Sequence, residues 1–129
     1  MKPKLDLVGV IVEDMGRALD FYRLLGLRFA DGAETEGHVE VELENGLRLA
    51  FDTREVVQSF DEHWEPPAGG HSLALAFLCG SPAEVDAVYA EIVAAGHPSH
   101  KEPWDASWGM RYAQVRDPDG NVIDLFARL

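Results

Sequence analysis

The spacing of apolar residues along this chain changes twice, and in the same order each time. Residues 5–12, LDLVGVIV, form a β-branched run that stops at Glu13-Asp14 and predicts a strand. Behind it Met15, Ala18, Leu19 and Tyr22 recur at helical spacing, Asp14 stands where it can cap the first turn, and Gly26 supplies the stop. Residues 81–96, SPAEVDAVYAEIVAAG, read the same way. Ser81 with Glu84 forms a capping box, Pro82 takes the first helical position and Gly96 closes the helix. The apolar stripe Val85, Val88, Tyr89 and Ile92 lies 70 residues after Met15, Ala18, Leu19 and Tyr22, and Gly96 lies 70 after Gly26. Two similar halves follow.

The turns repeat as well. Asn45-Gly46 separates VEVEL from LRLAF as a tight hairpin, and Asp119-Gly120, after Pro118, separates MRYAQVR from NVIDLF. Superposing the two glycines sets Ala50 against Asp124. Each half then reads strand, helix, three strands, with strands near 5–12, 27–31, 38–44 and 47–52, and again near 72–79, 97–101, 110–116 and 121–127. The expected class is α+β, two βαβββ modules in tandem within a single domain, residues 1–129: module 1 about 1–53, a linker about 54–70 that has no clean period and ends in Pro and Gly, and module 2 about 71–129. A βαβββ sheet has its helix on one face and nothing on the other. Curved sheets of two such modules can form a cleft between their bare faces, and half-barrels of this kind often pair between chains, which predicts a homodimer.

Composition narrows the function classes. Eleven bases against 23 acids give a net charge of −12, which repels phosphates and anionic bilayers, so no nucleic acid and no membrane partner is expected. No apolar run is long enough to span a membrane, no export signal is evident, and Cys79 is the one cysteine, which fits a reducing cytoplasm and rules out a cysteine zinc cluster.

The blocks LDLVGVIVEDMGRALDFYRLLGL at 5–27, the second helix ending AAG, and PWDASWGMRYAQVRDPDGNVIDLF at 103–126 together resemble the vicinal oxygen chelate superfamily of glyoxalases, extradiol dioxygenases and bleomycin-resistance proteins. The order PW, WG with Arg111, then RDPDGN is similar to the bleomycin-resistance branch, with extra residues between Trp104 and Trp108. The resemblance implies a dimer of paired βαβββ modules. It also implies that metal-using members take their ligands from four strand positions, which here carry Leu7, Ala50, Ala74 (or Ser72 after a slip of one pleat) and Asp124. A divalent catalytic metal needs three or more such ligands, so no metal and no cofactor are expected, even counting His71 beside Asp124. Catalysis is accordingly not the favoured reading, and a glyoxalase- or dioxygenase-like lyase or isomerase is the alternative.

Asp124 alternates with Ile123 and Leu125 and so points away from the helix with Val122 and Phe126. It is either a ligand contact or an aspartate bonded across the sheet or to Arg48 or Arg111. RDPDGN itself is explained by Pro118 and Gly120 as a turn. Glu40, Glu42 and Glu44 alternate with Val39, Val41 and Leu43 as a solvated acidic edge or an acidic wall. Trp104, Trp108, Tyr112 and Phe51 are candidate stacking surfaces, with Arg48, Asp52 and Arg111 as charged rims and Leu7 and Ala50 as floor. His38, His63, His97 and His100 read as solvated. The expected function is metal-independent binding of a small planar or amphiphilic organic molecule, with sequestration of a cationic aromatic antibiotic as the leading case.

Overall fold

The computed structural model describes residues 2–129 as two compact units, divided between Pro67 and Ala68. Together they make an α+β fold with seven strands in two sheets and three α-helices among the described residues.

The first unit runs β1 (Leu7–Val12), α1 (Met15–Leu24), β2 (His38–Glu42), β3 (Arg48–Thr53) and α2 (Arg54–Phe60). Asp14 caps α1 by accepting from the Arg17 amide, and Met15, Ala18, Leu19 and Tyr22 are buried, as the helical spacing predicts, with Phe21 beside them. The sheet order is β1-β3-β2, with β3 parallel to β1 and antiparallel to β2. Val10, Val12, Val39, Leu49 and Phe51 are buried, and the Phe51 ring lies 4.9 Å from Tyr22 and 5.6 Å from Phe29. The helix-covered face is therefore the one that carries Phe51.

Two expectations for this unit need correcting. Residues 27–31 form no strand: after Gly26 turns at φ 90°, Gly32 turns the chain again at φ 81° into a 3-10 turn at Ala33–Thr35, whose Ala33 is buried. The alternation of Leu27 and Phe29 reflects packing against the core and no ladder. The linker also contains a helix, α2, because the Thr53 hydroxyl accepts from the Val56 amide and Val57 is buried. At seven residues α2 is too short to display a period.

The second unit is the complete strand, helix, three-strand module: β4 (Leu75–Leu78), α3 (Pro82–Ala94), β5 (Ser99–Ala106), β6 (Met110–Arg116) and β7 (Val122–Arg128), in sheet order β4-β7-β6-β5. The capping pair at α3 forms as expected, with Ser81 accepting from the Glu84 amide and Glu84 reaching back to the Gly80 amide. Val85, Ile92, Ala113, Val115, Ile123 and Leu125 are fully buried, so α3 covers the face bearing the odd-numbered residues of β6 and β7.

Both hairpins enclose three residues where a tight two-residue turn was expected. In the first, Leu43 pairs with Leu47 around Glu44-Asn45-Gly46, and in the second Asp117 pairs with Asn121 around Pro118-Asp119-Gly120. Gly46 and Gly120 both sit at φ 84°, the left-handed position that closes a three-residue loop with a bulge. In the second hairpin the buried Asp117 carboxylate accepts from the Asp119 amide (2.9 Å), the Asn121 amide (2.8 Å) and the Asn121 side chain (2.8 Å).

Candidate functional site

The face of the second sheet turned away from α3 carries the even-numbered residues of β6 and β7: Tyr112, Gln114 and Arg116, with Val122, Asp124 and Phe126. β5 adds Trp104, the register partner of Tyr112, and Lys101, the partner of Gln114. Trp104 follows Lys101 by three positions, an odd spacing that would set them on opposite faces of a regular strand. Two register shifts, between Ser99 and Lys101 and between Lys101 and Trp104, each put one extra residue into β5 and return both side chains to the open face. The expected short strand at 97–101 is thus a longer, twice-bulged one.

Aromatic rings cluster there. Trp104, Trp108 and Tyr112 meet edge to face at 5.4–6.1 Å, and Tyr112 stacks on Phe126 at 6.0 Å. Trp108, in the hairpin between β5 and β6, is 58% exposed, so the cluster opens outward and is not a closed core. The Lys101 ammonium lies 3.9 Å from the Trp104 ring centroid, a cation–π contact.

Asp124 is buried beside this cluster. Its carboxylate accepts from the Tyr112 hydroxyl at 2.6 Å and from the Gln114 amide at 2.9 Å. Of the partners considered from the sequence, the bond across the sheet is the one that forms. Burial, then the hydrogen bond to Asp124, pushes the Tyr112 phenol up to about 12, so Tyr112 remains a donor throughout the physiological range.

Strand parity separates the other candidates. Phe51 is not on the open face of its unit, because Phe51 and Asp52 are neighbours on β3 and only one of them can point there; the ring belongs to the core under α1. Arg111 is likewise on the helix side of the second sheet, where it donates to Asp86 of α3 at 2.9 and 3.1 Å and to Asp105 at 3.1 Å. It meets neither Asp124 nor the aromatic cluster. Leu7, Ala50, Asp52 and Arg48 do share the open face of the first sheet, with Gly9 beside Ala50. Arg48 is committed there, to Glu40 at 2.7 Å and Asp6 at 2.5 Å.

His38 was read as a lone solvated histidine; it is exposed, as that reading expects, but not alone. Its Nδ1 lies 2.5 Å from an Asp52 carboxylate oxygen and its Nε2 lies 2.8 Å from one of Glu40, and when the ring is protonated both nitrogens donate. Hydrogen bonding to Glu40, then to Asp52, raises its pKa above the ordinary 6.5, and the same contact, followed by that of Arg48, lowers that of Glu40. Sequence could have shown this: with the first hairpin closing on three residues, His38 falls opposite Asp52. Of the acidic wall, Glu40 is thus held within the sheet by His38 and Arg48, and Glu44 lies in the turn. Because the folded-state pKa of His38 is the raised one, its contribution to stability is complete below about pH 6.5 and disappears as the pH rises through the folded value. Denaturant midpoints measured between pH 6 and 9 are expected to fall modestly in the native chain and to stay flatter in His38→Gln. An identical slope in both chains would remove His38 as the cause.

The metal-ligand positions of the resembling family carry Leu7, Ala50, Ala74 and Asp124, and both Asp124 oxygens already hold donors. Ala74 precedes β4, and His71 meets the His100 ring at 6.1 Å. These residues do not fit a divalent ion, and among the described residues no group of three or more His, Cys, Asp or Glu side chains is placed to hold one. Burial raises the pKa of Cys79, with Glu84 adding to the effect, which favours the unreactive thiol. Among the described residues no helix is long and apolar enough to cross a membrane.

Comparison with known proteins agrees with this architecture. The family model for the Glyoxalase/Bleomycin resistance protein/Dioxygenase superfamily matches residues 4–125. Similar solved structures include a glyoxalase/bleomycin resistance protein/dioxygenase family enzyme from Burkholderia phytofirmans PsJN, at 19% identity and TM-score 0.81 over 98% of this chain and 100% of that one. A glyoxalase-related enzyme from Fulvimarina pelagi matches at 21% identity and TM-score 0.81, over 97% and 88% of the two chains. A glyoxalase/bleomycin resistance protein from Albidiferax ferrireducens T118 matches at 25% identity and TM-score 0.69, over 96% and 98%. Among curated proteins no relative matches the sequence.

Proposed function

Because this chain belongs to the glyoxalase/bleomycin resistance protein/dioxygenase superfamily, whose fold does not fix a reaction, we propose a metal-independent binding protein for a small planar aromatic molecule. The observation that carries this reading is the outward-opening cluster of Trp104, Trp108, Tyr112 and Phe126 beside the buried Asp124. Rings of this kind supply large apolar contact area and, in well-placed pairs, about 0.5–1.5 kcal/mol beyond area burial. Asp124 and Gln114 add a polar anchor at the cluster's edge, the usual composition of a small-molecule site.

Sequestration of an aromatic antibiotic fits within this reading, since holding a drug away from its target requires affinity and no chemistry. The preference for a cation expected from the sequence loses its local support. Glu40 holds His38 and Arg48, Asp52 holds His38, and Asp124 accepts from the neutral donors Tyr112 and Gln114, so each carboxylate already has partners within the fold. The alternative of a metal-dependent lyase, isomerase or dioxygenase calls for ligands that Leu7, Ala50 and Ala74 cannot supply.

Tryptophan fluorescence titration with neutral acetylnaphthalene tests the reading. Saturable quenching is expected, and Trp104→Ala or Trp108→Ala should weaken binding by about five- to tenfold while leaving far-ultraviolet circular dichroism unchanged. Binding that ignores both substitutions would count against it.

A further inference from the structure

The open face of the second sheet has a second end. Past Gln114 the aromatic residues give way to basic ones: Lys101, His100, Arg116 and His71. The Arg116 Nε donates to His100 Nδ1 at 3.2 Å, and the His71 ring meets that of His100 edge to face at 6.1 Å. A guanidinium that donates to an imidazole nitrogen gains no carboxylate from that contact. Arg48 and Arg111 each hold two carboxylates, whereas among the described residues Arg116, like Arg17, Arg28, Arg54 and Arg128, holds none, and its terminal nitrogens are uncommitted. Lys101 has no carboxylate partner either and rests on the Trp104 ring.

The strand carrying this end is irregular in the relevant place. Both register shifts of β5 fall between Ser99 and Trp104, and their effect is to bring His100, Lys101 and Trp104 to the open face together. Bulges of this kind re-aim side chains next to functional sites, and here they set a row of cations beside a ring cluster.

We propose that this face binds an aromatic oxyanion. The ring lies against Trp108, Tyr112 and Phe126, and its carboxylate, sulfonate or phosphate group is taken by Lys101 and the Arg116 fork, with His100 and His71 behind them. The spacing suits such a molecule. Lys101 stands opposite Gln114, two residues from Tyr112, and Arg116 is two residues further, so each step is about 7 Å along the strand. One face therefore serves both parts of a ligand about the size of a substituted bicyclic ring. The inference rests on the aromatic-binding reading and adds the charge that reading leaves open.

Three probes of equal ring size decide it: naphthalenesulfonate, neutral acetylnaphthalene and naphthylmethyl-trimethylammonium, titrated by tryptophan fluorescence and confirmed by calorimetry at low and high salt. The sulfonate is expected to bind about tenfold or more tighter than the ammonium probe, with an advantage that shrinks in salt. Lys101→Gln with Arg116→Gln, two exposed side chains, should abolish that advantage and change acetylnaphthalene affinity far less than sulfonate affinity. Equal affinity for all three probes, or tighter binding of the ammonium, overturns the oxyanion assignment and leaves the aromatic reading standing. Absence of binding by every probe overturns both.

Discussion

Phe51→Ala is expected to lower the free energy of unfolding by about 3–5 kcal/mol, the usual range for deleting a fully enclosed phenylalanine ring. The ring is 0% exposed and bounded by Tyr22 and Phe29, so its removal leaves a cavity that the α1 stripe and β3 can only partly close. Set against a typical total of about 5–15 kcal/mol, the loss is large enough to unfold a marginal chain near ambient temperature. Urea or guanidinium titration followed by circular dichroism measures it, and Phe51→Leu, which refills most of the volume, should recover much of the loss. A change below about 1 kcal/mol for the alanine variant would mean that the ring contributes little to this core.

Asp117→Ala carries the second largest effect, a loss of about 2–3 kcal/mol. Asp117 is 2% exposed and its carboxylate accepts three hydrogen bonds within the turn, two of them from the backbone amides of Asp119 and Asn121. Removing the carboxylate strands those donors in a closed loop, whereas Asp117→Asn keeps one accepting oxygen and should cost less than half as much. The same denaturant titration reads both. The first hairpin solves the same problem differently: Leu43 stands at the equivalent place, and the Asn45 side chain accepts from the Leu47 amide at 3.0 Å. Equal stability of the alanine variant and the native chain would show that Pro118 and Gly120 alone hold the turn.

The helices were legible because their signals are local. Asp14 and Ser81 accept from the amides three residues on; the first stripe is buried throughout, and of the second Val85 and Ile92 are buried while Val88 and Tyr89 are half-buried. What depended on register was less legible. Phe51 and Asp52, or Arg111 and Tyr112, are adjacent on a strand, and sequence marks both members of each pair as interesting without saying which one the helix covers. A hairpin of three residues in place of two moves every cross-strand partner by one, which hid His38 opposite Asp52. The bulges in β5 break alternation outright, so the approach of Lys101 to Trp104 could not be read from spacing. The Leu27–Asp31 segment failed for the opposite reason: its local pattern suits a strand, but glycine turns on either side carry it away from any edge. At the candidate site, Trp104, Trp108, Tyr112 and Asp124 were identifiable as aromatic and acidic residues on the right strands, while Gln114 and Arg116, which carry no conspicuous motif, were not.

The two hairpins share one geometry at an offset of 74 residues, as Gly46 and Gly120 show, and the offset carries across the strands they join. His38 and Asp52 in the first unit then occupy the places that Tyr112 and Phe126 hold in the second, since 38 + 74 = 112 and 52 + 74 = 126. One cross-strand position is filled by an imidazole facing a carboxylate, the other by two stacked rings. Equivalent places in the two units can therefore hold an electrostatic contact in one and a stacking one in the other while the backbone frame is the same.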